Sequence, residues 1–165
     1  AVCAEAMSSR IKDTMNRIGL GKLTYLGIAL KQLITARKVS CTLTLEDKVH
    51  DKKESVELPR FLFVTCMSHR YEGGGFMFCP PAVDHDGGLD LCSVGNISKG
   101  LVLLALPTAF FGKHYFVKGI NAHTATQMSI TASAPLWVHT DGEVTRKSRG
   151  FRVECLPGAI RMITP

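Results

Sequence analysis

The stretch VSCTLTLED constrains the fold most. Val39, Cys41, Leu43 and Leu45 alternate with polar residues, the period of a strand with one buried face. Before it the texture is helical. Met7, Ile11, Met15 and Ile18 recur at helical spacing, so residues 4–18 read as an amphipathic helix that GLG at 19–21 ends. Leu23, Leu26, Leu30 and Leu33 repeat the pattern to about Ala36. After VSCTLTLED come a charged hairpin connection, KVHDKKES, and a doubly buried strand, FLFVTCMS. LDLCSV, QMSITAS, PLWVHT, FRVECL and AIRMIT are further strands, each bounded by Gly, Pro or Asp. Only NISKGLVLLALPTAFFGKH reads as helical, with Ser98 as N-cap and Pro107 dividing it. The expectation is an α+β fold, mainly β: an antiparallel β-sandwich with two N-terminal helices (residues 1–36) and one helical insertion within residues 37–165.

At 165 residues the chain holds one domain with a sizeable core. Its 45% hydrophobic content excludes wholesale disorder. A net charge of +6 suits anionic partners: phosphorylated ligands, acidic membrane surfaces or nucleic acid. The cations are scattered, and one Trp and three Tyr make a poor stacking platform, so no nucleic-acid role is expected. Cys3, Cys41, Cys66, Cys79, Cys92 and Cys155 contain no C-x-x-C pair and read as buried reduced thiols of a cytoplasmic protein. No secretory signal opens the sequence. The strongest apolar run, Leu101 to Phe111, is interrupted by Pro107 and falls short of the about 20 residues that a spanning helix needs. The opening on Ala1, already inside a helical pattern, points to a piece of a longer protein.

Three stretches carry chemistry or turns. In YEGGGFMFCPPAVDHDGGLDL, Gly73, Gly74 and Gly75 fit either a strand junction or a wall against which a bulky ligand lies. In VDHDGGLD, Asp84, His85, Asp86 and Asp90 fit either a plain turn or a hard-cation loop in which carbonyls fold inward around one Asp. A transition-metal site suits it less, because Asp-His-Asp in an extended run points alternate side chains apart. In VHTDGEVTRKSRG, Asp141-Gly142 is a hairpin signal. The same turn sets Asp141 and Glu143 at a sheet rim near Arg146, Lys147 and Arg149, where a carboxylate can accept a hydroxyl proton and cations can meet phosphates.

The order of these segments, YEGGGFMFCPPAVDHDGGLDL, ISKGLVLLALPTAFFGKH, LWVHTDGEV and FRVECLPGAIRMITP, resembles the C-terminal half of the soluble diacylglycerol kinase and sphingosine kinase family. The resemblance runs from about Gly73 to the end, and the leading helices are similar to the family's segment just inside its second domain. It implies a lipid-binding β-sandwich domain whose N-terminal nucleotide-binding domain is a separate part. The Gly-Gly-Asp-Gly motif that would cradle ATP phosphates is absent from this sequence, so the piece alone is expected to be inactive. The resemblance makes Glu143 the general base for a lipid hydroxyl. It has Asp141 organise a catalytic magnesium or share the base role. Asp86 would ligate a structural Mg2+ with the backbone oxygens of Val83 and Gly88, although His85 and Gly88 depart from the family's usual residues. ATP would be co-substrate, and diacylglycerol or a related lipid alcohol the acceptor. The lipid would lie in an apolar cleft beside Gly73 to Gly75, lined from LVLLALPTAFF. Peripheral membrane association from the cytoplasm follows. A sheet edge left for the other domain's strand leaves a homodimer open. The contrasting expectation is a non-catalytic lipid-binding or regulatory sandwich whose carboxylates are only structural.

Overall fold

The computed structural model describes residue 31 and residues 33–72, 75–141 and 143–160. The two expected N-terminal helices lie almost wholly outside these residues, and the described end of the second is helical at residues 31 and 33–35. The chain forms two compact units: residues 1–37 with 135–148, and residues 38–134 with 149–165.

Six strands make one antiparallel sheet: β1 (Val39–Asp47), β2 (Lys52–Met67), β3 (Leu89–Gly95), β4 (Ile120–Ala125), β5 (Gln127–Thr140) and β6 (Glu143–Glu154). Their order is β4-β3-β2-β1-β5-β6. The alternation that opens the sheet behaves as expected. Cys41, Leu43 and Leu45 of β1 are buried and join Leu91 of β3 with Met128 and Ile130 of β5 in the core. Truncating Leu43 or Leu91 to Ala would cost about 2–5 kcal/mol, the usual range for a close-packed site.

β2 is longer than the sequence implies. Residues 48–55 read as a charged connection, yet Asp47 pairs with Lys52 and Glu46 with Lys53 across the ladder, and the Glu46 carboxylate meets the Lys53 ammonium at 2.6 Å. The real connection is only residues 48–51, and Asp47 Oδ1 accepts the Val49 and His50 N–H groups there. Pro59 survives inside β2 because it falls at a bulge: Leu58 faces Cys41 and Phe61 faces Val39, so the register to β1 shifts there. Pairing with β3 begins at Phe61. A missing N–H is tolerated at such a bulge.

QMSITAS and PLWVHT, separate strands by sequence, are one strand. The ladder from β1 to β5 ends at Cys41 opposite Ala132. Pro135 therefore interrupts no ladder to β1. AIRMIT is not a strand at Ala159 and Ile160, and its remainder lies outside the described residues. β4 was not expected at all: INAHTA carries too little apolar alternation, and it forms because its whole length pairs with β3.

The helical insertion between β3 and β4 divides at proline as the sequence implies. Helix α1 (Lys99–Ala105) gives way to a 3-10 turn at Leu106–Phe111, with Pro107 at its start. The Ser98 hydroxyl accepts the Leu101 N–H at 3.2 Å, the expected N-cap. Val102, Ala105 and Ala109 face inward. Cys41, Cys66, Cys79, Cys92 and Cys155 are free thiols, and burial pushes Cys66 and Cys79 up to about 12. Cys3 lies outside the described residues.

Candidate functional site

The β5–β6 turn is built as its sequence implies. Asp141 adopts φ 48, the left-handed conformation that a two-residue primed turn requires and that Asp tolerates. This sets the Asp141 and Glu143 carboxylates on either side of Gly142, both exposed. Neither makes a hydrogen bond or ion pair among the described residues. Nearby, the Lys147 ammonium sits 4.7 Å from the centre of the Trp137 ring. Arg146 is exposed on the same arm. The tip thus joins two solvated carboxylates and two cations on one two-stranded element.

The loop at residues 83–88 has different chemistry. Asp86 Oδ1 accepts the Gly88 N–H at 2.8 Å, closing a small side-chain turn. Asp84 is held by the His85 ring at 2.8 Å, which confines this pair to each other at the surface. Asp90 is buried at the head of β3 and accepts the Thr124 hydroxyl at 3.1 Å. Burial holds the Asp90 carboxyl above its usual range, Thr124 opposes this, and the Asp86 charge adds to it. A hard cation would relieve the repulsion between these two carboxylates, and Val83 and Gly88 bring backbone carbonyls to the same loop. Carboxylate and carbonyl oxygens are the donor type that a hard cation takes. Among the described residues no group of three or more His, Cys, Asp or Glu side chains converges on one point.

Gly73 and Gly74 lie outside the described residues. Gly75 has φ 89, and an added Cβ would meet nothing within 4 Å. It is glycine for its backbone angle, not for a close approach, and it faces open space. Its N–H donates to the Glu72 carbonyl at 3.2 Å, and the Glu72 N–H to the Phe76 carbonyl at 2.8 Å, which brings Glu72 back beside Phe76.

Beyond that turn lies an apolar slot between the insertion and the sheet. Phe63, Phe78, Val94, Val102, His114 and Ile120 line it, and it is a small, partly open space of about 30 Å³. Four residues of LVLLALPTAFF line it too: Val102, Ala105, Leu106 and Ala109. Phe76 stacks on Phe110 at 4.2 Å beside it. His114 is the feature that sequence reasoning missed, although Lys113-His114 closes the recognised helical segment. It is 2% exposed. Nε2 donates to the Phe78 carbonyl at 3.1 Å, while Nδ1 has no partner among the described residues. Burial lowers its proton affinity, so the ring is neutral and Nδ1 is an acceptor in an apolar wall.

An acidic hairpin, a helical insertion closed by histidine and a mainly antiparallel sheet define a β-sandwich-like α+β domain. The chain belongs to the family described as the YegS C-terminal NAD kinase beta sandwich-like domain, which matches residues 1–164. A protein of Xanthomonas campestris pv. campestris (strain 8004) named "Probable lipid kinase YegS-like" is 30% identical over 148 residues, covering 88% of this chain and 45% of its own. One of the same name from Xanthomonas euvesicatoria pv. vesicatoria (strain 85-10) is 35% identical over 98 residues, covering 58% of this chain and 31% of its own. The chain therefore spans less than half the length of these two relatives. The crystal structure of a diacylglycerol kinase from Bacillus anthracis str. Sterne matches with TM-score 0.52 at 20% identity, covering 78% of this chain and 43% of that one. This last likeness speaks for the fold. No described helix is long and apolar enough to cross a membrane.

Proposed function

We propose that this domain is the acceptor-binding, base-donating part of an ATP-dependent kinase that phosphorylates the hydroxyl of diacylglycerol or a related lipid alcohol. The family match over residues 1–164 carries this reading. A nucleotide-binding domain, outside this chain, would deliver the γ-phosphate. A lipid hydroxyl is a poor nucleophile, so catalysis has to align it, neutralise charge and remove one proton. Glu143 suits the proton removal, because its carboxylate is held on a hairpin and engages no described group that would compete. It takes the hydroxyl proton as the oxygen attacks phosphorus, and Asp141 shares or orients that role. Arg146 and Lys147 meet phosphate oxygens. Where a magnesium ion is bound, it supplies further charge neutralisation, and Asp86 with the carbonyls of Val83 and Gly88 is the set that would hold a structural one.

The acyl chains would enter the slot beneath the helical insertion. At about 30 Å³ it does not admit a chain as it stands, so the insertion has to part from β3 on binding. The neutral His114 Nδ1 would accept a hydrogen bond from a polar group of the lipid. Gly73 to Gly75 would form the mouth. A non-catalytic lipid-binding module is the second reading, favoured by the internal engagement of the Asp84 and Asp86 carboxylates. The full-length protein, assayed with labelled ATP against a panel of lipid alcohols, decides between them. Label transferred to a lipid supports the kinase, whereas lipid binding without transfer supports the module.

A further inference from the structure

The slot beneath the helical insertion holds a polar atom that no described group uses. The side chains of Phe63, Phe78, Val94, Val102 and Ile120 give its wall carbon alone. Cys92 adds only a weak donor, a thiol that burial pushes up to about 11 and that has the Tyr115 hydroxyl beside it. His114 is different. It is buried, and its Nε2 donates to the Phe78 carbonyl, which also accepts the Tyr115 hydroxyl at 2.6 Å. The ring is held between Phe78, edge-on at 5.9 Å, and Tyr115, tilted at 4.2 Å. Nδ1 therefore keeps a lone pair in an apolar wall, with no partner among the described residues. A buried acceptor left like this destabilises the site, and only a donor relieves it.

That requirement has a direction. A lipid can meet Nδ1 with an O–H or an N–H, never with an ester carbonyl. Diacylglycerol has a single donor, its hydroxyl, and in the kinase reading that proton goes to Glu143. Its ester groups only accept. A lipid that reacts at its hydroxyl and also satisfies Nδ1 has to bring a second donor at the head of its acyl chain. The free second hydroxyl of a monoacylglycerol and the amide N–H of an N-acyl amino alcohol both qualify. We propose that His114 selects lipid alcohols with such a second donor over diacylglycerol, through a hydrogen bond into Nδ1. The proposal rests on the kinase reading for the fate of the reacting hydroxyl and deepens it to a substrate class. A site that hydrogen-bonds a substrate O–H or N–H rejects the analogue lacking it, because its own polar atom is then left unpaired.

The test uses the full-length protein and two matched pairs of lipids, each differing by one donor. The first pair is a diacylglycerol and its analogue with one ester replaced by an amide. The second is a monoacylglycerol and the methyl ether of its second hydroxyl. Binding is measured by calorimetric titration in detergent micelles without ATP. For this the reacting hydroxyl of every lipid is capped as a methyl ether, so that only the second donor can reach Nδ1. In at least one pair the donor lipid should bind about tenfold tighter, the contribution of one hydrogen bond. The pair that shows the preference tells an amide from a hydroxyl ligand. With labelled ATP and uncapped lipids, kcat/KM should show the same preference. His114→Gln keeps a side-chain N–H for the Phe78 carbonyl and removes the acceptor at Nδ1, so it should bring the binding ratio close to one with an unchanged melting temperature. Should that variant melt early, the nitrogen resonance of His114 Nδ1 in the wild type decides, because it should shift with the donor lipid and not with its partner. Equal binding within both pairs, no binding of any capped lipid, an unmoved resonance, or a preference retained by the folded glutamine variant overturns the proposal. So does loss of transfer to all lipids alike in that folded variant, which would place His114 in the catalysis. Label on no lipid, with the binding preference intact, sinks the kinase reading and leaves the recognition by His114 standing.

Discussion

Two acidic turns of this protein, the β5–β6 tip and the loop at residues 83–88, use the same residue types for different ends. At the loop, each carboxylate has an internal engagement. Asp86 closes its own turn on Gly88, Asp84 holds His85, and Asp90 is buried under Thr124. At the tip, Asp141 and Glu143 are exposed and engage none of the described groups. A carboxylate that stabilises a turn is already committed; one that the fold positions without using is available for a reacting partner. By this contrast the tip is suited to proton transfer, and the loop to structure, with or without a cation.

The sharpest way to break the comparison is Glu143→Gln in the full-length protein. It preserves shape and removes the base. Phosphate transfer should fall by about 10²–10⁴-fold, the range of general-base catalysis, while the melting temperature stays unchanged because nothing described in the fold leans on this side chain. Asp141→Asn, assayed beside it, ranks the two carboxylates. Full activity in Glu143→Gln would place the tip with the loop as a structural turn.

The tip was legible in the sequence and the slot only in part, through the residues that LVLLALPTAFF lends it, for physical reasons. A two-residue turn is a local object: Asp141-Gly142 at the end of an apolar run specifies φ near 48 at Asp141 through short-range sterics alone. The alternation of β1 and the Ser98 cap are local in the same sense. β4 and residues 52–60 of β2 were missed because they are strands by virtue of partners far along the chain, and pairing overrides weak local propensity. His114 was likewise silent. A histidine after a helical run gives no sign that one nitrogen will find a carbonyl 36 residues back while the other finds no partner among the described residues. The burial of Asp90, which sets the electrostatics of the loop, depends on Thr124 and the β3–β4 ladder.

The loop should respond to protons and cations in a way the tip does not. The folded protein holds the Asp90 proton at pH values where the unfolded chain has released it. That contribution to stability is fully present below the unfolded carboxyl value and is lost as pH rises through the raised folded value. Asp90→Asn should flatten this acid-side fall in melting temperature, and an unaltered profile would mean that the burial of Asp90 is not what sets the slope. Asp86→Ala removes a charge-assisted turn bond and should lower stability by about 1 kcal/mol, or about 2–4 °C. If magnesium stabilises the wild type through this loop, the same variant should abolish that response. A magnesium effect that persists in Asp86→Ala would move the ion elsewhere.

Lys147→Ala gives the smallest effect and the finest distinction within the tip itself. The ammonium lies over the face of Trp137 at an exposed site, where such a contact is worth about 0.5–1 kcal/mol. Stability should therefore barely move. Trp137 is the only tryptophan of the sequence, so its emission in this chain reports directly on the loss of the cation. If Lys147 also meets phosphate oxygens during transfer, the variant should raise the KM for ATP in the full-length protein, and Arg146→Ala should do so without changing the Trp137 emission. A Lys147→Ala variant altered in fluorescence alone would make this lysine a cover for the indole, leaving Arg146 as the cation that serves the carboxylates' chemistry.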